Sequence, residues 1–134
     1  MNLTTARLVE LRRDARIERD ALLEHRGRLG EDPADALSGT PSVDELVVCA
    51  IRDEMLEDRD QLAEFSMARL AARGSGPDAA VHRRNADLVE FALLREIAAS
   101  VPQLAIAVWG VAHHLDVGGD PEGGSSTEGT TPGP

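Results

Sequence analysis

The chain has 134 residues, a formal net charge of −10, a single cysteine and three aromatic side chains, Phe65, Phe91 and Trp109. That length supports one domain with a small core, and the acidity argues against non-specific nucleic-acid binding, which depends on neutralising phosphates. Three aromatics leave little for stacking on bases or sugars, while the lone Cys49 excludes an internal disulfide and fits a reducing compartment.

The first predicted helix covers about residues 5–29. Leu8, Leu11, Ala15, Leu22 and Leu29 fall in heptad register as a narrow seam that Glu18 and His25 interrupt. Every cation of the chain is arginine. Residues 1–30 hold seven of them against five acidic residues, a net of +2 that leaves −12 for the remainder. These thirty residues are charged throughout and contain no apolar leader core, so the expected location is cytoplasmic. Residues 30–41, GEDPADALSGTP, contain Asp-Pro, Ser-Gly and Thr-Pro pairs and read as a loop.

The second helix is expected over 43–73, a run without glycine or proline. Ser42 followed three residues later by Glu45 makes a capping box, and Gly74-Ser75-Gly76-Pro77 ends the run. Such a helix would span about 46 Å and could not bury its apolar stripe alone. Val47, Val48, Ile51, Met55, Leu62 and Phe65 form that stripe, with Cys49 read as a small hydrophobe beside it.

A third helix, about 78–99, starts with Pro77 at a favoured first-turn position. It has two apolar faces, one of Val81, Leu88, Phe91, Ala92 and Ala99, the other of Ala86, Val89, Leu93 and Ile97. Apolar on two sides, it is expected to be central, and antiparallel to the second helix. Ser100 and Gln103 suggest a capping box for a fourth helix over 101–116; a proline-kinked continuation of the third is the alternative. Leu104, Val108, Val111 and Leu115 make its main seam, and Ile106, Trp109 and His113 a second face. Residues 117–134, rich in Gly, Pro, Ser and Thr, read as a disordered tail. The expected fold is therefore all-α, a three- or four-helix antiparallel bundle over 1–116.

Several constellations could carry chemistry. Glu54, Glu57 and Asp60 have a spacing similar to that of the Mg²⁺-binding carboxylates of all-helical nucleotide pyrophosphohydrolases, with Asp87 and Glu90 as the acids that could face them. The stripe Asp53, Glu57, Asp60 and Glu64, however, centres about 160° from the apolar arc and points at water. No glutamate stands three residues before His25, His82, His113 or His114, so the di-iron bundle motif is missing, and no zinc-type spacing exists. Neither a nucleophile elbow nor a glycine-rich loop after a strand is present. No catalytic residue, metal ligand or cofactor is assigned.

Asp58 falls inside the apolar arc of the second helix and Arg95 inside that of the third. A buried interhelical Asp58–Arg95 pair is expected, with Arg59 and Arg84 as competing partners. The stretch Ile97–Leu115 lacks Asp, Glu, Lys and Arg over nineteen residues, long enough to raise the reading of a membrane-associated helix. Pro102, Gln103 and two histidines favour a buried or interface helix instead. The third and fourth helices offer more apolar surface than a small bundle covers. The expected partner interface combines Val89, Leu93, Ile97, Ile106 and Trp109, for a homodimer or another protein. The resulting expectation is a non-enzymatic helical interaction protein. A metal-dependent hydrolase of the nucleotide pyrophosphohydrolase type and a membrane-associated helical protein are the alternatives.

Overall fold

The computed structural model describes residues 3–115, all of whose regular structure is helical: α1 (Thr5–Arg28), α2 (Pro33–Gly39), α3 (Val43–Asp58), α4 (Leu62–Ala71), α5 (Pro77–Ser100) and, after a 3₁₀ turn at Pro102–Leu104, α6 (Ala105–Ala112). The fold is an all-α bundle, as the periodicities imply. The expected tail, 117–134, lies outside the described residues.

Capping chemistry sets most of the boundaries. Thr4 accepts the Arg7 amide and starts α1. Its end is a Schellman motif: Gly30 adopts a left-handed φ of 79°, its amide donates to the Gly27 carbonyl, and the Glu31 amide donates to that of Arg26. Where the sequence suggests only a loop, Asp32 accepts the Ala34 amide and Pro33 opens a seven-residue helix. The Ser42–Glu45 capping box forms reciprocally, at 3.1 and 2.9 Å.

The expected single helix over 43–73 is two helices. Asp60 takes a left-handed φ of 55°, its amide donates to the Glu57 carbonyl, and the Gln61 amide donates to that of Leu56 at 2.8 Å. This is the Schellman geometry again, with aspartate in the position glycine usually fills. The segment after α5 also differs from expectation. Val101 leaves the helical region at φ −131° and ψ 79°, which separates α6 from α5 and excludes a kinked continuation. No side chain caps the 3₁₀ turn, because Ser100 is still the last residue of α5. The helix expected over 101–116 is thereby reduced to Ala105–Ala112.

The core forms where α1, α5 and α6 converge on α3, and α5 in turn packs against α3, α4 and α6, so both α3 and α5 are central. Val47, Val48 and Leu56 of α3, Leu94 and Ile97 of α5, and Leu104 and Val108 beyond it are the most deeply buried apolar residues. Only the N-terminal part of the α1 seam joins them, through Leu8, Leu11 and Ala15. Leu22 and Leu29 of that seam are exposed, since polar contacts hold the far end of α1. There Arg26 donates to the Ala36 carbonyl and Thr40 Oγ1, and Arg19 to the Pro41 carbonyl. A Cβ at Gly39 would collide with the Arg26 guanidinium, so the glycine makes room for that contact.

Candidate functional site

The expected Asp58–Arg95 pair does not exist. Asp58 is in phase with the core of α3 but is the last residue of that helix, where it stands exposed. Arg95 is also exposed, its guanidinium 5.8 Å from the centre of the Phe91 ring. The expectation carried the phase of Leu62 and Phe65 back through an unbroken helix, and the stop at Asp60 removes that link. Arg59, named as a competitor, instead holds Glu96 of α5 through two contacts of 3.0 and 2.9 Å at the surface.

The buried ionic centre lies elsewhere. Glu90 is 1% exposed and Asp87 2%. Arg52 of α3 donates to Glu90 Oε2 at 2.7 Å and also pairs with Asp53. Arg69 of α4 donates to Asp87 Oδ1 at 2.9 Å and to Glu90 Oε1, while lying 5.2 Å over the Phe65 ring. A buried carboxylate survives only with such partners, and this network braces α3 and α4 against α5. A readable signal exists for Glu90: it interrupts the apolar row Ala86, Leu93, Leu94 and Ile97 at helical spacing. The arginines that meet it are set by tertiary placement.

Above the network opens a cleft of about 560 Å³, bordered by Pro41, Cys49, Arg52, Phe65, Arg69 and His114, among others. Burial pushes the Cys49 thiol above its ordinary range, against the opposing pull of Arg52. Burial acts to lower Arg52, but the negative charges of Cys49 when ionised, Glu90 and Asp53 outweigh it and hold the guanidinium protonated. At the cleft edge Gly110 matters sterically, because a Cβ there would strike Glu45 Oε2 and disturb the α3 capping box. The two guanidinium groups of the floor already face Asp53, Asp87 and Glu90, which makes the network an internal brace.

The carboxylates of the hydrolase reading are spread apart. Glu54, Glu57 and Asp60 are exposed, with Glu54 ion-paired to Arg7, whereas Asp87 and Glu90 are turned inward onto the arginines. Among the described residues, no three His, Cys, Asp or Glu side chains converge as a metal site.

The expected partner patch is divided between core and surface. Leu93 and Ile97 are 3% and 0% exposed and belong to the core, and Val89 is half-buried. Ile106 and Trp109, at 88% and 57%, are on the surface. Of the two apolar faces of α5, the one carrying Leu93 and Ile97 turns in. The other, with Val81, Leu88, Ala92 and Ala99, turns out. Half-buried Phe91 joins this outer face to α6, its ring centre 6.5 Å from that of Trp109 at a tilt of 49°. The surface is thus a strip along α5 continued by Trp109 and Ile106, with Arg84 and Arg95 the exposed charges within it.

The uncharged stretch is split among the end of α5, a turn and an eight-residue α6. Among the described residues, no helix is long and apolar enough to cross a membrane. Fold and surface together define an all-helical protein with an ionically braced interior and an open aromatic-centred face. Comparison with protein-family models, with curated proteins and with solved structures gives no match for this chain.

Proposed function

We propose that this chain is a non-enzymatic helical interaction protein whose working surface is the outer face of α5 and α6. The observation that carries this reading is the exposure of Trp109 and Ile106 beside Phe91 and Leu88 on adjoining helices. Isolated apolar side chains are ordinary on a protein surface, and Val9 and Ile17 on α1 are of that kind. An apolar strip that includes an exposed tryptophan is the kind of surface from which binding energy is drawn. Partner binding covers the strip, which removes apolar area from water without refolding either helix.

The test is site-specific photo-crosslinking in cells, with a photoreactive amino acid replacing Ile106, Leu88 or, as a control, Ile17. Discrete protein adducts from positions 88 and 106 but not from 17 are expected. Adducts of equal yield from all three, or none from 88 and 106, would sink the reading.

A further inference from the structure

The outer strip of α5 carries charge in a pattern that selects its occupant. Val81, Leu88 and Arg95 recur every seven residues, and Arg84 and Phe91 fill the intervening seam positions, with Ala92 and Ala99 alongside. This is a coiled-coil-like seam whose apolar middle, Leu88 and Phe91, lies between two arginines eleven residues apart, about 16 Å along the axis. Both arginines are exposed, and among the described residues neither forms a salt bridge.

A second copy of this seam is a poor occupant. Packed antiparallel about the midpoint of the strip, Leu88 would meet Phe91 of the other copy, but each Arg84 would meet an Arg95. Packed parallel, each arginine would meet itself. Like charges opposed across an interface are strongly disfavoured. A stagger of one heptad removes the clash only by setting Arg84 against Leu88 with no counter-charge, which strands a guanidinium in a desolvated seam.

The rest of the charge distribution points the same way. Residues 31–61 carry ten acidic side chains against two arginines, whereas residues 62–115 hold five of each. Two of those five acids, Asp87 and Glu90, are buried in the brace. The seam therefore lies in a stretch without net charge, less acidic than residues 31–61 though not as basic as residues 1–30, and α6 beside it has no charged residue. At physiological salt, screening over about 8 Å leaves the two local arginines to decide what docks.

We infer that the outer strip binds an amphipathic helix of a partner protein carrying acidic residues at two seam positions about 16 Å apart, on either side of an apolar centre. This rests on the interaction reading above and specifies the partner's chemistry. Each carboxylate of the partner meets one arginine, Leu88 and Phe91 pack against its apolar residues, and Trp109 with Ile106 covers one flank. An anionic bilayer is a weaker match, because surface recruitment draws on clusters of basic residues and the seam has two.

Trp109 is the only tryptophan and serves as the reporter. The full chain is titrated, at about 0.15 M salt, with a synthetic helical peptide of about three heptads bearing a leucine seam and two glutamates eleven residues apart. A second peptide has lysine in place of both glutamates. The expected result is a blue shift of Trp109 emission with the glutamate peptide, and binding about tenfold weaker with the lysine peptide. The Arg84→Glu/Arg95→Glu double variant, its helicity checked by circular dichroism, is expected to reverse that preference. Equal affinity for both peptides would overturn the acidic partner while leaving the docking face in place. Failure of both peptides, alongside crosslinks from position 106, would also overturn it without touching the interaction reading. Concentration-dependent dimerisation that shifts Trp109 would make a second copy the occupant. A shift with phosphatidylcholine vesicles containing about one quarter phosphatidylserine, and with neither peptide, would make it a lipid surface. Either result would overturn the inference.

Discussion

Helices α3 and α4 come from one run of sequence without a glycine or proline, yet different forces hold them. Six residues of α3, among them Val47, Val48 and Leu56, are buried in the core, and the helix would be difficult to detach without unfolding the bundle. No residue of α4 is fully buried. It is fastened to α5 by half-buried Phe65 and by the Arg69 contacts to Asp87 and Glu90. Apolar packing tolerates changes of salt and local charge, whereas a brace of ion pairs depends on every member being present. The lesson is that uniform helical sequence does not imply uniform stability.

The largest expected effect tests the packed half. Leu94→Ala, at a fully buried position, should lower unfolding stability in urea by about 3 kcal/mol and weaken hydrogen-exchange protection throughout. Arg69→Ala should cost about 2 kcal/mol, because it leaves Asp87 and Glu90 buried with one cation fewer. Its signature is local: amides of α4 lose protection before those of α3. Equal loss in both helices would show that they form one cooperative unit and end the contrast.

Asp60→Gly sharpens the comparison at the junction itself. With Asp60 in a left-handed conformation, glycine should raise stability by about 0.5–1 kcal/mol. In a continuous helix the same change would instead cost about 0.3 kcal/mol, so the sign of the shift in urea midpoint decides between one helix and two. The smallest effect is expected for Asp58→Ala. As an exposed residue at the end of α3 it should change stability by less than about 0.5 kcal/mol. A loss several times larger would revive a buried role for this carboxylate.

The ends of α1 and α3 show why one boundary was legible and the other was not. Both use the same pair of backbone hydrogen bonds around a left-handed residue. After α1 that residue is Gly30, the usual signal for a helix stop. After α3 it is Asp60, one acidic residue in a segment full of them, and helical periodicity runs through it uninterrupted. Missing the stop carried the apolar phase too far and misplaced the buried pair at Asp58. The α2 helix was hidden differently, since its Asp32-Pro33 start is shared by many turns. For the interior brace, half the signal was present in Glu90 amid Ala86, Leu93 and Ile97. The other half, Arg52 and Arg69, lies on two other helices.

By itself the sequence determined the helical class and several of its boundaries: the Ser42–Glu45 box, Pro77 at the start of α5 and Gly30 at the end of α1. These are local devices, satisfied by backbone groups within a few residues. It also showed that α5 has two apolar faces. Which of them turns inward was decided only in the tertiary structure. Periodicity fixes the angle between two stripes on one helix but says nothing about which neighbours approach them. The face beside Glu90 and Asp87 packs Leu93, Leu94 and Ile97 into the core, and its two carboxylates are met there by Arg52 and Arg69. The face with Leu88 and Phe91 was left outside with Trp109, and there the proposed function resides.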